Sequence, residues 1–328
     1  MRGEGPLLPK LHTLRWYGLS GLGLIEPSVM FMHSSIRKLV IDQLDSEAEE
    51  LESDTFASYC AAISARMPFL SCLQLGVYPL QIFEKPMVAL MKRLPNLREF
   101  LVPPFPDLTR ISLGLAEVPQ MESSLMDGGS EILDELLSQP LAKDIIHLKH
   151  LIPILSSCPN MIHFNLQFPY PPAIDDHDIE TIAKSWPGLE EFSFCHQPGV
   201  LLLKREKRLT LKALSHFSRH CPNLSKLQLY IDATSGHIPD VTSMKVKRFA
   251  KLCMLNVGPS PIDGHAPVAY TLAHLCSTET RLSFGSGWGN SDKIDPEIDS
   301  TWRTAWEVVK AVLLWMTKMQ QKIESLQT

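Results

Sequence analysis

Apolar and polar positions alternate in short bursts along this chain, and most bursts follow a proline. In CPNLSKLQLY, residues 221–230, Leu224, Leu227 and Leu229 form an L-x-x-L-x-L frame. Its last two apolar positions alternate with polar ones, the period-two signature of a short strand with one buried face. Leu227 and Leu229 are expected to point inward, and Lys226, Gln228 and Tyr230 outward. The proline cannot continue a helix and biases its predecessor toward extended geometry, so it closes a helix and launches the strand. Upstream the spacing is helical. Leu211, Leu214, Phe217 and Ser218 share one helix face, which Thr210 can N-cap and His220-Cys221-Pro222 ends.

The frame recurs. CPNMIHFNL at 158, WPGLEEFSF at 186, LPNLREFLV at 94, MPFLSCLQL at 67 and LPKLHTLRW at 8 are close copies. Looser ones are VPQMESSLM at 118, SSIRKLVI at 34 and FAKLCMLNV at 249, with a last one ending in RLSF at 281. Steps between frames are mostly 24 to 35 residues, with one of 40, and seven of the 25 prolines sit at the same place in the frame. Helical spacing precedes several copies, as in FASYCAAISARMP, PMVALMKRLP, PVAYTLAHLC and IDDHDIETIAKSWPGL, the last capped by Asp175 or Asp176. A strand–loop–helix unit cannot bury its apolar face alone, so neighbours must stack. The expected fold is an α/β horseshoe solenoid over residues 1–290, with a parallel inner sheet of ten strands and outer helices. Residues 291–328 read as an amphipathic helix with Trp302, Trp306, Val309, Leu313, Met316 and Ile323 on one face. That face either covers the end of the solenoid or meets a partner helix.

Composition narrows the setting. With 45% hydrophobic and 20% charged residues in 328, the chain can bury a sizeable core. No apolar run approaches the roughly 20 residues that span a bilayer, and MRGEGPLLPKLHTL lacks the apolar centre of a signal peptide. The seven cysteines are scattered and never form CxxC, which suits reduced thiols in the cytoplasm or nucleus. A net charge of −5 gives no general pull toward nucleic acid or anionic membrane.

Candidate chemistry changes this picture little. A catalytic cysteine needs an oriented base, and a zinc site needs ligands at matched spacing; His220-Cys221 shows neither. Cys158 and Cys221 occupy the slot held by Trp186, Leu94, Met67 and Leu8 elsewhere, so they read as small hydrophobes. His216 and His220 stand at i, i+4 without an evident third ligand and read as helix-surface residues. The cluster Asp175, Asp176, His177, Asp178 and Glu180 reads as a helix start, where negative charge meets the dipole. DSEAEELESD at 45 and KREKR at 204 read as solvated segments, and GLSGLGL and FGSGWGN as turns without a phosphate-binding context. No enzyme activity, cofactor or metal is implied. The outward strand positions mix Arg15, Lys38 and Lys226 with Asp42, Glu99, Asp127 and Glu191, unlike a nucleic-acid groove. The expected partner is a protein on the concave face, met by Arg15, Tyr17, His163, Gln167, Lys226, Gln228 and Tyr230.

LTLKALSHFSRHCPNLSKLQL and IDDHDIETIAKSWPGLEEFSF resemble leucine-rich repeats of the cysteine-containing type found in F-box proteins, and their irregular spacing resembles the fungal F-box/leucine-rich-repeat proteins. The resemblance covers roughly residues 8 to 284. It implies recognition of a protein substrate for an F-box-type ubiquitin ligase, whose adaptor and cullin would be further partners. No F-box is visible, and SEILDELLSQPL at 130 only faintly resembles an F-box helix. Either the F-box was lost or lies outside this sequence, or the chain is a leucine-rich-repeat scaffold with no link to ubiquitination.

Overall fold

A computed structural model of the chain describes residues 8, 10–17, 29–42, 53–75, 85–102, 147–167, 172–196, 207–239, 246–285 and 296–327. They form an α/β structure on one parallel sheet whose nine strands follow chain order. The strands are β1 (Thr13–Tyr17), β2 (Lys38–Asp42), β3 (Cys72–Leu75), β4 (Glu99–Val102), β5 (His163–Leu166), β6 (Glu191–Phe194), β7 (Lys226–Leu229), β8 (Met254–Asn256) and β9 (Arg281–Ser283). Seven helices are described: α1 (Ser53–Arg66), α2 (Lys85–Lys92), α3 (Leu148–Ser157), α4 (Asp176–Ser185), α5 (Leu211–His220), α6 (His265–Leu275) and α7 (Pro296–Gln327). Parallel neighbours need a crossover between them, and among the described residues α1 to α6 supply six of the eight.

The sheet register is the one the frames imply. Lys38, Cys72, Glu99, His163, Glu191, Lys226, Met254 and Arg281 stand side by side across the strands. The corner before each strand is a tight turn: Leu224 N–H donates to Cys221 O at 3.2 Å, and Leu189 N–H to Trp186 O at 3.1 Å. The next two amides reach back one unit, as Ser225 and Lys226 N–H both donate to Glu190 O. Each corner thus spends its backbone donors on the unit before it, which couples stacking to turn formation.

Two expectations are corrected here. β4 pairs directly with β5, Glu99 opposite His163; VPQMESSLM at 118 lies outside the described residues. The described sheet therefore has nine strands and not ten, and the position of Asp127 lies outside the described residues. In α7, Trp306, Val309 and Leu313 are buried and Trp306 Nε1–H donates to Ser260 O at 2.8 Å, with Trp302 and Met316 packed at the edge. Ile323, expected on that face, is 51% exposed. It lies beyond the last buried turn of the helix.

Of the corner slots, Met67, Leu94, Cys158, Trp186 and Cys221 are buried, as is the aromatic stack of Phe100, Phe164, Phe192, Phe194 and Phe217 beside Trp186, whereas Leu8, expected in the same slot, is 50% exposed at the corner before the edge strand β1. Phe164 packs on Trp186 at 5.0 Å and on Phe192 at 5.5 Å, and Phe192 on Phe217 of α5 at 4.9 Å between centroids. The aspartates of the acidic cluster are spent on backbone and capping hydrogen bonds, while Glu180 pairs with Lys184 at 2.8 Å. Asp175 accepts from the His177 and Asp178 amides, and the Asp178 carboxylate accepts from the Asp175 amide. Asp176 turns to the next unit, accepting from Thr210 N–H at 2.8 Å and Thr210 Oγ1–H at 2.7 Å, while Thr210 caps α5 through Lys212 N–H.

Candidate functional site

The sheet face turned away from the buried Leu and Phe side chains is built from columns of aligned residues. Along one column His163 lies between two carboxylates, its Nδ1 3.8 Å from Glu99 and its Nε2 3.7 Å from Glu190. Lys226 pairs with Glu191 at 2.5 Å, and that carboxylate holds the ammonium pKa above its ordinary value. The neighbouring column reads Gln74, Leu101, Asn165, Ser193, Gln228, Asn256 and Ser283. From β5 onward it is uncharged and carries amides and hydroxyls, groups that both donate and accept hydrogen bonds, with Ser193 buried among them. A charged ridge therefore runs beside a neutral hydrogen-bonding stripe.

Arg15 is exposed on β1, and His163, Lys226, Gln228 and Tyr230 are half-buried on or just beyond their strands. Tyr17 ends β1, and its side chain lies outside the described residues. These positions span the sheet from β1 to β7. Gln167 departs from the alternation: it is 6% exposed, not solvent-facing. Its amide nitrogen sits 2.8 Å from Ser193 Oγ, 2.7 Å from His196 Nδ1 and 3.3 Å from Asn165 Oδ1. The cause is local. Cys195 adopts φ +46°, a left-handed conformation uncommon outside glycine, and His196 beyond it packs against Gln167 and Ser193.

Ser193 Oγ and His196 Nδ1 are 3.2 Å apart, within reach for a serine–histidine pair. The same Nδ1 is engaged more closely by Gln167, and all three side chains are buried, so the group acts as a hydrogen-bonded brace beneath the face. Burial pushes the His196 pKa down to about 4. Cys221 is buried with its thiol directed at the Ala183 and Trp186 carbonyls, and burial raises its pKa to about 12, far from a reactive thiolate. A cavity of about 390 Å³ opens at the corners of consecutive units, lined by Asn96, Arg98, Asn160 and Gly188 among others.

His216 is a further correction. It is 7% exposed, because α5 is flanked by α4 and α6 and buries more than the stripe that its Leu and Phe spacing marks. Of the KREKR run, Lys207 bridges Asp175 and Asp178, and Arg208 pairs with the buried Asp232 at 2.6 Å. No alternation or motif marks these cross-unit partners, which lie 24 to 32 residues apart in sequence.

Among the described residues no helix is long and apolar enough to cross a membrane. Compared with known proteins, the chain matches no family model, and no curated protein is significantly similar to it.

Proposed function

We propose that this chain is a leucine-rich-repeat module that binds a protein partner on the strand face, and that it selects substrates for an F-box-type ubiquitin ligase. The observation that carries the binding reading is the pair of aligned columns, charged beside neutral, displayed across successive units. Nine strands at about 4.8 Å spacing extend roughly 40 Å, enough for an interface of standard size. His163, Lys226, Gln228 and Tyr230 are the contacts proposed near its centre, with Arg15 and Tyr17 toward one end and Gln167 holding the surface from beneath. The ligase reading rests on the likeness of the cysteine-containing repeats to those of F-box proteins. A scaffold role without ubiquitination is the alternative, favoured by the same columns and independent of that likeness.

Affinity capture of the full-length protein, set against the double variant Lys226→Ala/Tyr230→Ala, tests both readings. A partner retained by the wild type and lost from the variant supports binding through this face. Co-purification of ligase adaptor and cullin supports the substrate-recognition role; their absence, with the face-dependent partner still captured, leaves the scaffold role. Equal capture by wild type and variant removes these columns from consideration.

A further inference from the structure

On the helices, two histidine nitrogens and one carboxylate face each other across adjacent units. His216 and His220 occupy i and i+4 on α5, and Glu180 lies opposite on α4. His216 Nδ1 stands 4.0 Å from Glu180 Oε2, and His220 Nε2 stands 3.9 Å from Glu180 Oε1. Both ring nitrogens are buried and have no hydrogen-bond partner. At these separations neither makes a hydrogen bond to the carboxylate, whichever tautomer the ring adopts. Buried polar atoms are almost always satisfied by protein or ordered water, and an unsatisfied one costs free energy, so this pair is open to a ligand. His177, 85% exposed on its side chain, brings a third imidazole, with Nδ1 3.6 Å from Glu180 Oε2.

We propose that His216, His220 and Glu180 form a site for a divalent transition-metal ion of the zinc class, with His177 as the fourth ligand, that clasps α4 to α5. Imidazoles with one carboxylate suit zinc, cobalt, nickel or copper and not calcium or magnesium. As the side chains stand, no group of three is drawn close enough to hold an ion among the described residues. Bonds of about 2.0–2.2 Å at tetrahedral angles would bring nitrogen and oxygen to about 3.3–3.5 Å. Each His–Glu180 separation would have to close by about 0.5 Å, with Glu180 Oε1 released from its 2.8 Å pair with Lys184. This inference is independent of the strand face and of any ubiquitin-related role.

The test titrates chelator-treated full chain with Co²⁺, following visible absorption, and with Zn²⁺, following Tm. Wild type is expected to give the d–d bands of a tetrahedral nitrogen/oxygen site and a Zn²⁺-dependent rise in Tm. Glu180→Gln and His220→Gln are each expected to weaken binding by more than about 100-fold, since even outer-shell changes cost 10- to 100-fold. His177→Gln, at an exposed side chain, keeps the fold intact and is expected to weaken binding too. Lys184→Gln frees the carboxylate and is expected to tighten it. Absence of both signals in wild type overturns the proposal, as does unchanged binding in Glu180→Gln and His177→Gln.

Discussion

Acidification is expected to loosen this chain at His196. Its Nδ1 lies 2.7 Å from the Gln167 amide nitrogen and 3.2 Å from Ser193 Oγ, and burial holds its pKa at about 4 against an ordinary 6.5. In the unfolded chain the ring takes up its proton near pH 6.5; in the folded chain it does so only near pH 4. Between those values the unfolded state binds more protons, so stability rises with pH. The contribution is fully present above pH 6.5, falls progressively as the pH drops, and is lost once the pH passes below about 4. The gap between the two pKa values corresponds to about 3 kcal/mol, at about 1.4 kcal/mol per tenfold. That is a sizeable part of the roughly 5–15 kcal/mol that holds a typical domain together. Urea unfolding followed by circular dichroism from pH 8 to pH 4, on wild type and His196→Gln, isolates this residue from other titrating groups. The wild-type stability should fall by about 3 kcal/mol more than the variant's across that range. Parallel pH profiles would refute the reasoning, because they would mean that His196 charges as readily folded as unfolded.

Phe164 touches Trp186, Phe192 and Phe194 in the buried stack, and Phe164→Ala should cost about 3–5 kcal/mol in chemical denaturation; a loss under about 1 kcal/mol would show the stack to be loosely packed. Cys253 is the exposed thiol of the seven, and burial raises the pKa of Cys158 to about 11 and of Cys221 and Cys276 to about 12. A thiol reagent should therefore label one cysteine quickly in the native chain and all seven after unfolding, and rapid native labelling of several would contradict this packing. Asp176→Ala removes both acceptors of Thr210 across the α4–α5 boundary and should destabilise the chain by about 1.5–3 kcal/mol, measured by urea titration, with Asp176→Asn intermediate.

The nine-residue frame made most of the architecture legible from sequence. Leu224, Leu227 and Leu229 are buried where their spacing puts them, Thr210 and Asp175 cap the helices they precede, and Cys221 fills the slot that Trp186 and Leu94 fill elsewhere. These features are local: a proline, a capping side chain and an alternation of two act within a few residues of themselves. Because parallel units stack in chain order, aligning the frames also aligns the strands, so the register followed as well. The described sheet has nine strands where ten were expected, because β4 meets β5 directly and the frame at 118 lies outside the described residues.

Tertiary structure alone decided which polar groups meet. The backbone turn at Cys195 buries Gln167, an outward position by alternation, together with His196. Glu180 faces His216 and His220 only because α4 and α5 pack as neighbours, an encounter across 36 to 40 residues that no local pattern encodes. The repeat period dictates which units stack, and hydrophobic burial drives the stacking without direction. The pairing of polar side chains depends on distances of a few tenths of an ångström, set only once the helices are seated.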